Sequence, residues 1–141
     1  MALLADFYVS RESRADGYDS NPDAYSYRAS HKNLTPLEVS TLWAIVSGRE
    51  WTLELMDEFQ NVLMKDDGER LIHRFPPTLV TELAGLQKGS IGAFAESWAK
   101  TDELTMLRSS SADLEPIIED LARLARHGVE FDSGLYLWNC V

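Results

Sequence analysis

A single cysteine, Cys140, is too little for a disulfide framework, and no apolar run reaches the 18 or so residues that a membrane-spanning helix needs. The N-terminus does not have the pattern of a secretory signal. Basic residues are also scarce. Against 23 Asp and Glu there are 13 Lys and Arg, a formal net charge of −10, and the sequence pI is about 4.6. Proteins that hold a phosphate backbone usually show a basic face or stripe, so this balance argues against nucleic acid as a partner. The absences together predict a soluble protein of a bacterial-type cytoplasm, bound neither to membrane nor to nucleic acid.

Reaction motifs are missing too. There is no phosphate-cradling G-x-x-x-x-G-K, no G-x-G-x-x-G after a strand and no G-x-S-x-G; Ser47-Gly48 and Gly89-Ser90 read as helix ends. The three histidines, His31, His73 and His127, lie in separate segments with no carboxylate or cysteine at metal-ligand spacing. His127 falls in the last turn of a long helix, where a positive charge suits the helix dipole. His73 would matter only if the fold brought it to Glu96 or Asp6. Asp19-Ser20-Asn21-Pro22-Asp23 opens like a calcium loop, but Ala24 stands where the turn glycine belongs and Ser30 where the bidentate glutamate belongs, so it reads as a polar turn. No metal, cofactor or catalytic residue is expected, and the reading leans away from an enzyme.

What is present is a strongly patterned chain, best marked at its end. Leu114, Ile117, Ile118, Leu121, Leu124 and Ala125 recur at the spacing of one buried helical face, with Asp113 and Pro116 at the expected start and Gly128 at the expected stop. Residues 135–141 are apolar or aromatic at six of seven positions, which predicts a strand covered on both faces, with Cys140 a small core residue. Leu3–Val9 reads as a first strand whose natural partner is this closing one, so that both find hydrogen-bonded neighbours. Asp6 then sits on the Leu4/Tyr8 side and needs a partner or an edge.

Between them, Thr35-Pro36-Leu37-Glu38 is a capping box with proline at the first helical position. Further helices are expected from Thr52 through Leu63, from Pro77 to Leu86 and from Ser90 to Trp98. Residues 61–73 are ambiguous, because Asp67-Gly68 is also a hairpin turn signal. Closing a hairpin there would set Lys65 opposite Arg70 and Asp66 opposite Glu69, like charges facing each other, which tips the reading to helix. Arg70–Phe75 and Ala24–Ala29 are candidate short strands. Leu104–Leu107 is a further strand or a helix end. The resulting expectation is one α+β domain over residues 1–141, with a small mixed sheet containing the N- and C-terminal strands and about five helices packed on it.

Two stretches are candidates for contact with a partner. The loop from Ser10 to Asn33 is long for a connection inside a compact domain and carries Tyr18, Tyr25, Tyr27 and Arg28, a composition suited to a protein interface if exposed and to capping the sheet if folded back. Glu54, Asp57, Glu58, Asp66, Asp67 and Glu69 form an acidic run suited to a solvated face or to a basic protein. The leading expectation is a non-catalytic, acidic protein-interaction module. The alternative is a small hydrolase or small-molecule-binding protein whose site is assembled only by the fold.

Overall fold

The computed structural model describes residues 3–141. Five strands, β1 (Leu4–Ser10), β2 (Arg28–Lys32), β3 (Gln60–Lys65), β4 (Arg70–Arg74) and β5 (Gly134–Cys140), form one sheet in the order β2-β1-β5-β4-β3. The first and last strands pair directly, Leu4 opposite Cys140 and Ser10 opposite Gly134. β5 is therefore central, which explains its lack of alternation: Leu135 and Leu137 face one side, Tyr136 and Trp138 the other, and the residues from Gly134 to Leu137 are all buried. Every pairing is antiparallel rather than mixed. The helices between β4 and β5 return the chain to the end where β4 finishes, where Phe75 N–H donates to the Leu135 carbonyl.

One face of the sheet carries the helices α1 (Pro36–Ser47), α3 (Pro77–Ala84), α4 (Ile91–Ala99) and α6 (Ser111–Glu130), with the one-turn helices α2 (Leu53–Asp57) and α5 (Asp102–Met106) at their margins. The apolar face of α6, Leu114, Ile118, Leu121, Leu124 and Ala125, is almost wholly withdrawn from water and meets Ala5, Phe7, Leu135 and Leu137 in a continuous core. At roughly 1.5–3 kcal/mol per large side chain, this burial outweighs any single cap. The α1 capping box forms as expected: Thr35 Oγ1 accepts from Leu37 N–H, Glu38 accepts from Thr35 N–H, and Gly48 closes the helix in the left-handed region. No helix among the described residues is long and apolar enough to cross a membrane.

Several boundaries differ from the sequence reading, each for a physical reason. Residues 60–74 are a hairpin, not a helix end. Asp66, Asp67 and Gly68 all adopt positive φ in its turn, and Lys65 does face Arg70, but a carboxylate from elsewhere in the chain lies between them. The edge strand near residue 27 begins at Arg28, because Tyr25 is drawn into the core beneath it. Leu104 belongs to a short helix capped by Thr101. The long helix starts earlier, on a Ser110/Asp113 capping box, so Pro116 lies inside it. It also runs past Gly128. That glycine is kept for closeness rather than for a turn, since a Cβ there would come within 3.1 Å of the Ser133 carbonyl oxygen.

Candidate functional site

The second face of the sheet is covered by the loop rather than by helices. After β1 the chain makes two short 3-10 stretches, Glu12–Asp19 and Pro22–Ala24, and lays its tyrosines on Tyr8, Ile72, Tyr136 and Trp138. Tyr18 stacks on Tyr8 with ring centroids 4.1 Å apart, and Tyr25 meets both edge-on. The hydroxyls are spent internally: Tyr8 donates to the Ala15 carbonyl at 2.7 Å, Tyr18 to Asp6 Oδ2 at 2.8 Å, and Tyr25 to the Arg14 carbonyl. Burial pushes the Tyr8 phenol far up, and burial together with the Asp6 hydrogen bond does the same for Tyr18, so both remain neutral donors. Asp6, the polar residue in an apolar strand, has its partner in Tyr18.

Asp19 pins the far end of this loop. Its side chain is only 2% exposed, and its two oxygens accept from Trp138 Nε1 at 3.0 Å and Lys65 Nζ at 3.1 Å, with Arg70 Nη1 at 3.3 Å. Burial alone would raise this carboxyl, but the bonds from Trp138 and Lys65 and the charge of Arg70 hold it below the usual aspartate range. The carboxylate that opened the calcium-like pattern thus neutralises the two cations that the hairpin sets face to face. Asp23, its last acidic residue, pairs at the surface with Arg28 at 3.1 Å.

Of the four residues expected to meet a partner, Tyr18 is buried in this packed face and Tyr25 is half-buried against it, while Tyr27 and Arg28 lie at the surface. Tyr27 stacks on His127 at 4.0 Å, and Phe131 lies parallel to His127 at 6.0 Å, half exposed. His127 therefore belongs to an aromatic patch as well as to the end of α6. Phe131 had no signal in the sequence, since it follows the expected end of that helix.

The residues of the alternative, catalytic reading do not converge. Asp6 points into the tyrosine face, whereas His73 pairs in register with Leu137 and lies on the helix face; Glu96 is exposed on α4. Burial lowers the His73 pKa, leaving it neutral at pH 7. His31 engages Asp120 of α6 at 2.9 Å, an exchange between the β2 edge and the helix layer.

The acidic run is fully displayed. Glu54, Asp57 and Glu58 lie on and after α2, and Asp66, Asp67 and Glu69 lie in the hairpin turn, at the two ends of edge strand β3. All six are exposed, and among the described residues only Asp66 has an ion-pair partner, Arg70 at 2.8 Å. Leu53 and Met64 stand among them, 57% and 63% exposed. Comparison of the chain with protein-family models, with curated proteins and with solved structures finds no match.

Proposed function

We propose that this is a non-catalytic interaction module of a bacterial-type cytoplasm that binds a protein with a basic surface through the region 53–69. The observation that carries the reading is the row of exposed carboxylates, all but one without a cation among the described residues, flanking an edge strand beside exposed Leu53 and Met64. Like charges left uncompensated at this density repel one another; a basic partner relieves that repulsion, and the field steers its approach. The apolar pair supplies the contact area that charge alone does not.

The test is affinity capture from the host's lysate at low salt. Wild type is compared with a variant carrying Glu54→Gln, Asp57→Asn, Glu58→Gln, Asp67→Asn and Glu69→Gln. A basic protein retained by wild type, released by salt and lost from the neutralised variant is the expected result. A partner that survives neutralisation but is lost with Tyr27→Ala and Arg28→Ala moves the interface to the aromatic patch, which is the second reading. If neither surface retains a macromolecule, the interaction reading fails.

A further inference from the structure

The sheet ends at β3, and the direction of that strand's backbone groups follows from bonds on the far side of β4. Phe75 N–H donates to the Leu135 carbonyl and Val141 N–H to the Glu69 carbonyl, so by alternation Leu71 and His73 face β5 while Arg70 and Ile72 face β3. Their opposites in register, Lys65 and Leu63, turn inward, and Met64 between them turns its N–H and C=O away from the sheet. Among the described residues no backbone group outside the hairpin bonds to this edge. Open edges are ordinarily guarded by a lysine, a proline or a bulge. Here there is no proline, Lys65 is drawn onto Asp19, and the bulge lies at Val62, ahead of the Leu63–Lys65 run. The opposite edge, β2, carries exposed Arg28 and Lys32 at its two ends.

What guards β3 is charge at its ends. Asp57 and Glu58 precede it and Asp66, Asp67 and Glu69 follow it, roughly 20 Å apart across the extended strand. A second β3 laid antiparallel along it, with Gln60 opposite Lys65, would bring Glu58 beside Asp67; laid parallel, it would set each acidic end against its own copy. Both arrangements are repulsive, and each copy adds a net charge of −10. An extended segment with basic residues at both ends meets the opposite situation. Its backbone pairs with the open strand while its cations reach the carboxylates at either end, and its apolar side chains lie beside exposed Met64 and half-buried Val62 and Leu63.

We propose that β3 takes an added strand: an extended segment of a partner protein, apolar at alternate positions and bearing Lys or Arg at both ends, pairs with the Met64 backbone and continues the sheet. The inference rests on the basic-partner reading above and narrows it, from a basic surface met by charge to an extended chain held through its backbone. The open edge binds the segment, and the acidic ends select it.

The probe is acetyl-Lys-Lys-Val-Thr-Val-Thr-Val-Lys-Lys-amide, with a control of equal charge in which every valine and threonine amide is N-methylated. Each is titrated at low salt into the ¹⁵N-labelled protein while hydrogen exchange of the Met64 amide is followed. The probe should bind in the micromolar range and slow that exchange at least about tenfold, whereas the control should bind at least about tenfold more weakly and leave it unchanged. Met64→Pro, tolerated where an edge N–H points outward, should weaken the probe by about the same factor while every carboxylate remains. Equal affinity for probe and control, or an unprotected Met64 amide at saturation, overturns strand addition and leaves the capture of a basic protein to stand on charge alone. Absence of probe binding also overturns it, and the lysate capture then judges the basic-partner reading separately. Sedimentation of the free protein covers the remaining occupant: an assembly that Met64→Pro dissociates makes a second copy the bound strand and refutes the proposal.

Discussion

Removing the Asp19 carboxylate should loosen the protein at a place far from that residue in sequence. Asp19→Ala leaves Trp138 Nε1, 119 positions away, without its acceptor and leaves Lys65 and Arg70 facing each other in register. A hydrogen bond to a charged group contributes roughly 1.5–3 kcal/mol. The two cations are 42% and 35% exposed, so each ion pair adds only a few tenths of a kcal/mol to about 1 kcal/mol. The sum is a destabilisation of about 3 kcal/mol. Asp19→Asn keeps an acceptor for Trp138 but not the charge, and should lose about 1–2 kcal/mol. Urea unfolding followed by circular dichroism measures both.

The pH dependence gives the sharper check. The folded carboxyl titrates below its ordinary value of 3.8. Between the two pKa values the unfolded chain binds more protons, so stability rises with pH there. The advantage of wild type over Asp19→Asn should therefore be complete above the unfolded pKa and should close as pH falls through the folded one. A loss below about 1 kcal/mol for Asp19→Ala, or an Asn gap that is flat across this window, refutes the clamp.

Leu121→Asp places a charge in the centre of the α6 face, where Leu121 has no exposed surface, and should abolish the cooperative thermal transition; an unchanged midpoint would contradict the core described above. Two glycines in helices should respond oppositely to alanine. At Gly92 a Cβ meets only the movable Glu115 carboxylate, at 2.9 Å, so Gly92→Ala should raise stability by about 0.5 kcal/mol. At Gly128 it meets the Ser133 backbone oxygen at 3.1 Å, and Gly128→Ala should lower stability by about 1–3 kcal/mol. Differential scanning calorimetry of the pair tests both, and equal signs would refute the distinction.

Periodicity made much of the fold legible. The α6 face, the α1 capping box, the two-sided closing strand and its pairing with β1 all follow from local patterns that tertiary structure did not override. The 60–74 hairpin was misread because the pairing test counted only the hairpin's own charges, and Asp19 enters from another segment. The tyrosine loop was recognised as unusual, but composition cannot distinguish a ring laid on a sheet from one turned to solvent. Tyr18 and Tyr25 went inward, Tyr27 outward.

The central place of β5 has a consequence during synthesis. β2-β1 and β3-β4 are separate antiparallel pairs unless β5 lies between them, and β5 follows all the other described elements in chain order. Until then β1 and β4 each carry an open interior edge, and the inner face of α6 has only part of its sheet to rest on. A β5 that comes last among the described elements works against piecemeal assembly of the sheet. This topology favours closure by a late, long-range step, with the two half-sheets exposed until then as templates for each other or for a neighbouring chain.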